Sequence, residues 1–135
     1  MRNPFRGSPA ARASATLVPV SGTILVVDDQ DVVRDVIRLA LESAGYTVLT
    51  AASPNAAIDL VRGGETIDLL VTDVVMPEMD AFELADRIAC ELPGLRILYT
   101  SGYTDAGAEG PFIQKPFTPG QLIEKVRGVL AGSPS

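Results

Sequence analysis

Ile24-Leu25-Val26-Val27 runs without a polar residue straight into the paired carboxylates Asp28-Asp29. A short apolar run that stops abruptly at charged, turn-forming residues reads as a strand buried on both faces. The figure recurs: residues 67–72 end at Asp73, and a short run over 112–114 ends at Lys115-Pro116-Phe117. In an open parallel sheet with helices on both faces, ligands bind beyond the carboxyl ends of the strands, where residues distant in sequence become neighbours. Three acids and a lysine at strand ends therefore predict one shared site.

Working outward, strands alternate with helices. Val32, Val33, Val36, Ile37, Ala40, Leu41 and Ala44 recur at spacings of three and four, which predicts a helix burying that face and ending at Gly45. A second strand is expected over 46–51, then a helix opened by Ser53-Pro54 and closed near Arg62 by Gly63-Gly64. After the third strand, residues 80–92 put Phe82, Ala85, Ile88, Ala89 and Leu92 on one face before Pro93 stops the helix. A fourth strand follows over 96–100 and a fifth over 112–114. Thr118-Pro119-Gly120-Gln121 then supplies a capping box for a last helix bearing Leu122, Ile123, Val126, Val129 and Leu130. Residues 101–110, mostly Gly, Ala and small polar types, are few for a parallel crossover, which usually takes a dozen or more. A loop, with the helix absent or reduced, is expected there.

The chain has 135 residues, 47% hydrophobic and 21% charged, which suits one soluble domain, and no apolar stretch approaches the roughly 18–20 residues of a membrane span. Net charge is −6, yet Arg2, Arg6 and Arg12 lie in an acid-free beginning, so the remainder is more acidic still. Such a body repels phosphate backbones and argues against direct nucleic-acid binding. Residues 1–22 lack any period and are expected to form a disordered tail, with 23–131 the folded domain and 132–135 a short C-terminal tail. Cys90 stands alone and reads as a small apolar helix residue; no internal disulfide is possible, and a cytoplasmic setting is expected. With no histidine in the chain, Ser-His-Asp and Cys-His chemistry is excluded. Arg87 and Arg96 are expected to be solvated.

Crowded carboxylates repel one another and raise each other's pKa unless a cation sits among them. Mg²⁺ suits such a cluster, being hard, octahedral and content with one or two carboxylates, a carbonyl, a phosphate oxygen and water. One of the three acids can then act as a nucleophile toward a phosphoryl group and become an aspartyl phosphate. A lysine, and a hydroxyl such as that of Thr100, would stabilise charge on the transferring oxygens.

Over roughly residues 23–131 the chain resembles the receiver domains of two-component response regulators. The resemblance rests on Asp28-Asp29 after strand one, Asp73 with Met76-Pro77-Glu78-Met79-Asp80 after strand three, Thr100-Ser101-Gly102 after strand four and Lys115-Pro116-Phe117 after strand five. It implies a flavodoxin-like, doubly wound α/β fold with a five-stranded parallel sheet in the order 2-1-3-4-5. It implies Asp73 as phosphoacceptor, with Asp28, Asp29, Asp73 and the backbone carbonyl of Val75 around Mg²⁺. Thr100 would be the switch hydroxyl, Lys115 the cation pairing with the phosphoryl group, and Phe112 the aromatic switch. A cis Lys115-Pro116 bond is expected. The phosphoryl donor would be a phosphohistidine of a sensor histidine kinase or a histidine phosphotransfer protein, and output would pass by protein contacts or relay, as in a stand-alone switch rather than a metabolic enzyme.

Ala81 stands where relatives commonly have glycine, so a positive φ there would cost stability. Val75 and Gly102, two residues beyond Asp73 and Thr100, offer nothing to orient a water, which predicts slow loss of the phosphoryl group. Two alternatives remain: a receiver fragment of a hybrid histidine kinase, and an aspartyl-phosphate phosphohydrolase, which would need an acid where Val75 stands.

Overall fold

The computed structural model describes residues 22–76, 78–102 and 111–131. The elements are β1 (Thr23–Val27), α1 (Asp31–Ser43), β2 (Thr47–Ala51), α2 (Pro54–Arg62), β3 (Leu69–Asp73), α3 (Ala81–Glu91), β4 (Arg96–Ser101), β5 (Phe112–Gln114) and α4 (Pro119–Leu130). All strand pairs are parallel and the order is β2-β1-β3-β4-β5. The sheet and its order agree with expectation. The readings of residues 1–21, of the 103–110 connection and of 132–135 fall outside the described residues.

The strand sequences build two cores because successive side chains point to opposite faces. Ile24 and Val26 join Leu69, Val71 and Leu98 under α1 and α4, which contribute Ile37, Leu41, Leu122 and Val126. Leu25 and Val27 join Leu70 and Tyr99 under α2 and α3, with Ile58, Val61, Leu84 and Ile88. This double burial explains why β1 and β3 carry apolar residues at consecutive positions.

Local signals behave as their chemistry requires. The Ser53 hydroxyl accepts from the Ala56 N–H ahead of Pro54, and Asp80 accepts from the Glu83 N–H. Thr118 and Gln121 form the reciprocal capping box. Gly45, at φ 104°, takes the left-handed conformation that closes α1. The Lys115-Pro116 bond is cis.

Four expectations need correction. Val32 and Val36 are not on the buried face of α1: they are 75% and 47% exposed. The inward stripe is Val33, Ile37, Ala40, Leu41 and Ala44, and Val32 and Val36 lie roughly 100° of helix away from Val33 and Ile37. Asp68 divides the run over 67–72, so β3 begins only at Leu69, while Asp68 accepts the Thr23 N–H at 2.8 Å. Arg96 is not simply solvated, because its Nη1 donates to the carbonyls of Val129 and Leu130 at the end of α4. Ala81 is the first residue of α3 and fully buried, so the position is helical and its methyl packs into the core.

Candidate functional site

Parallel registration carries the predicted residues to one rim. Asp73 is the last residue of β3 and lies opposite Thr100 of β4, which lies opposite Ile113 of β5. The Lys115 N–H continues the ladder by donating to the Ser101 carbonyl at 2.7 Å, placing the lysine just past the end of β5. Asp28 follows β1 directly, and its N–H reaches the Ala51 carbonyl of β2.

Carboxylate oxygens of Asp28, Asp29 and Asp73 lie within 4.8 Å of one another. The Lys115 Nζ sits 3.4 Å from an oxygen of Asp28 and 3.4 Å from an oxygen of Asp73. Asp28 is almost completely buried and accepts from the Gln30 N–H at 2.8 Å, while Asp73 accepts from the Val75 N–H at 3.3 Å. Asp29 is exposed at the mouth. Asp29, Asp73 and Lys115 line a cleft of about 620 Å³ with Gln30, Val75, Met76 and Gly102, and Asp28 lies buried behind them.

The electrostatics are unbalanced. Burial pushes the Asp28 carboxyl above its ordinary value and the neighbouring Asp73 charge adds to this, although the Gln30 N–H and the Lys115 ammonium both pull it down. One ammonium does not neutralise three carboxylates. The donor set is all hard oxygen, the type that Mg²⁺ prefers, and the cluster lies beside a roomy, open cleft with space for a partly hydrated ion. The residues present therefore fit the ion that their pattern implies.

Thr100 is fully buried, and its Oγ1 has no hydrogen-bond partner among the described residues. An unsatisfied buried hydroxyl is costly, of order 1–3 kcal/mol. Phe112 does not line the cleft: it is part-buried, opposite Tyr99 in the sheet. Val75 lines the cleft with its side chain 56% exposed. Sequence reasoning missed the Gln30 N–H as a ligand of Asp28 and missed Arg34, whose guanidinium donates to the Asp28 carbonyl. Backbone contacts of this kind leave no mark in residue type.

A doubly wound sheet whose C-terminal rim gathers three carboxylates, a lysine and an unpaired hydroxyl defines an α/β protein equipped to hold a hard cation against a phosphoryl group. Residues 24–127 match the model of the response regulator receiver domain. The response regulator receiver protein CpdR of Brucella abortus (strain 2308) is 34% identical over 79% of this chain and 94% of its own length. The sensor kinase CckA of the same organism is 39% identical over 86% of this chain, which spans 13% of that kinase. The probable transcriptional regulatory protein TcrX of Mycobacterium tuberculosis is 29% identical, and the chain spans 49% of it. Among solved structures, the receiver domain of the hybrid histidine kinase CckA superposes with a TM-score of 0.72 at 35% identity, covering 81% of this chain and 99% of that one. The chemotaxis protein CheY4 of Vibrio cholerae gives 0.73 at 28% identity, covering 81% and 98%.

The chain belongs to the response regulator receiver domain family. It is a phosphoacceptor receiver of two-component signalling, a class that works as a switch rather than as a metabolic enzyme and that generally binds Mg²⁺.

Proposed function

We propose that Asp73 is the phosphoacceptor and that Asp28, Asp29, Asp73 and the Val75 carbonyl hold Mg²⁺. The observation that carries this is the position of the Lys115 Nζ, 3.4 Å from both Asp28 and Asp73, within a cluster of three carboxylates. An Asp73 carboxylate oxygen attacks the phosphorus of a phosphohistidine. The new P–O bond forms as the P–N bond breaks, and the electron pair of that bond returns to the imidazole nitrogen. The ion, when bound, supplies positive charge to the transferring oxygens. Lys115 supplies the remaining charge, and the unpaired Thr100 hydroxyl meets a phosphoryl oxygen once the group is in place. This converts a buried orphan into a bonded group and is the switch; Phe112, part-buried behind β4, follows as the aromatic element.

The donor is a sensor histidine kinase or a histidine phosphotransfer protein. The exposed large hydrophobic residues support a protein donor: Val32, Val36 and Leu39 stand on one side of α1, and Val75 stands on the cleft. A helix stripe at i, i+4 and i+7 is the pattern by which one helix packs on another. Among the described residues no helix is long and apolar enough to cross a membrane. We take residues 23–131 as the receiver domain, with no direct nucleic-acid contact and a cytoplasmic location. The 94% coverage of CpdR supports a stand-alone switch, and the likeness to the CckA receiver supports a piece of a hybrid kinase as the second reading.

The test is incubation with acetyl phosphate and Mg²⁺ followed by intact mass. The wild type gains one phosphoryl group and Asp73→Asn gains none; an adduct on the variant would move the acceptor elsewhere.

A further inference from the structure

Asp29 is the exposed member of the cluster, and its carboxylate has no hydrogen bond or ion pair among the described residues. Its aim toward the cleft is therefore set by the backbone on either side of it. Both flanking peptides are tied down. The Asp28–Asp29 peptide is held through the Asp28 carbonyl, which accepts from the Arg34 Nη1 at 2.7 Å. The Asp29–Gln30 peptide is held through the Gln30 N–H, which donates to the Asp28 carboxylate at 2.8 Å. Each peptide is a rigid plane, so fixing one polar atom of each leaves the Asp29 Cα suspended between two anchored plates.

We infer that Arg34 is a positioning residue for the Mg²⁺ site: its guanidinium clamps the β1–α1 turn so that Asp29 faces Asp28 and Asp73. The inference rests on the reading of the acid cluster as a Mg²⁺ site. Arg34 is suited to this because its side chain is mostly covered, 16% exposed, and its planar fork spans two acceptors at once, the Asp28 carbonyl and the Asp31 carboxylate. Asp31 is 79% exposed and contributes little alone. The N-cap residue, Gln30, gives α1 no side-chain hydrogen bond. The turn therefore depends on Arg34 for a restraint that a capping side chain often provides.

The sign of the effect separates this role from simple electrostatics. Removing a cation near three carboxylates should by charge alone tighten a divalent ion. Loss of the clamp should loosen it. Mg²⁺ affinity measured by calorimetry is expected to fall about tenfold in Arg34→Met, the low end for an outer partner of a metal site, and by less in Arg34→Lys, which keeps the charge but not the fork. Asp31→Asn should change it less than about twofold. In the metal-free protein, hydrogen exchange at the Asp29 and Gln30 amides should speed up in Arg34→Met while core amides of β1 and β3 stay protected.

Unchanged or tighter Mg²⁺ binding by a folded Arg34→Met would overturn the inference, as would unaltered exchange at both amides. If Arg34→Met does not fold, the same two measurements on Arg34→Lys decide. Failure of the wild type to bind Mg²⁺ would instead strike the site assignment itself, and the exchange data would still report on the clamp.

Discussion

The two ends of the sheet use charge in opposite ways. At the N-terminal rim, Asp68 accepts the Thr23 N–H as β1 begins, and Arg96 donates to the last carbonyls of α4, so each charge completes a backbone that would otherwise end unpaired. At the C-terminal rim, three carboxylates crowd together with one lysine that pairs with only two of them, and a buried threonine hydroxyl has no partner among the described residues. One rim spends its polar groups on finishing secondary structure. The other keeps them short of partners, and that shortfall is what a cation and a phosphoryl group can satisfy.

The largest expected contrast comes from Asp28→Asn. The amide oxygen can still accept from the Gln30 N–H, but the buried negative charge is gone. Mg²⁺ affinity should drop by about 100-fold, in line with losing a charged group from the site. Metal-free stability should rise by about 1 kcal/mol in urea unfolding. The direction follows from linkage. Burial raises the Asp28 pKa in the folded protein above its unfolded value, so the fold binds that proton more readily than the unfolded chain does. The metal-free wild type therefore loses stability as pH rises from the unfolded value, about 3.9, through the raised native one. Asp28→Asn should lack that part of the decline, and the difference should shrink when Mg²⁺ is added to the wild type. A variant less stable than the metal-free wild type at neutral pH would mean that the rim is not short of positive charge.

This contrast also explains what could be read from the residues. The alternation of strands and helices, the capping box at Thr118 and Gln121 and the convergence of Asp28, Asp73 and Lys115 were legible because they follow from side-chain type and period: apolar runs stop at the rim, and each stop bears a charge. The strand order followed only from the resemblance to receiver domains. Val32 and Val36 misled because valine is apolar wherever it stands, and two interleaved stripes on α1 satisfy the same spacing; only packing chooses the one with Ile37 and Leu41. Arg34 and Arg96 were illegible for another reason. Both donate to backbone carbonyls, which every residue carries, so no residue type announces the acceptor. The cost of the rim, seen in the orphaned Thr100 hydroxyl, likewise exists only once the neighbours are known.

A smaller effect sharpens the account of the functional rim. Val75 lines the cleft with an exposed, apolar side chain, and a Cβ built on Gly102 meets nothing within 4 Å. Neither side chain offers a polar atom to hold an attacking water near a phosphoryl group on Asp73, so the phosphorylated protein should decay slowly. Val75→Gln adds an amide that can orient a water without acting as a strong base. Its decay should be roughly tenfold faster, well below the 10²–10⁴ of a positioned general base. The check is the time course of the phosphorylated fraction by intact mass after the donor is removed. Wild-type loss within seconds would show that the cleft positions water without help from residue 75.

The smallest expected effect belongs to the opposite rim and tests whether the two ends are separable. Arg96→Met keeps much of the aliphatic stem but frees the carbonyls of Val129 and Leu130. A cation at a helix C-terminus is worth about 0.3–1 kcal/mol through the dipole, and its hydrogen bonds here are partly solvated, so about 1 kcal/mol should be lost. For a domain of this size that lowers Tm by roughly 3–6 °C. Mg²⁺ affinity and the extent of phosphorylation should not move, because β4 is paired along its length from Arg96 to Thr100 with β3, and β5 holds its other side from Tyr99 onward. If either quantity changes with the Tm, charge at one end of the sheet is coupled to chemistry at the other, and the division of labour between the rims fails.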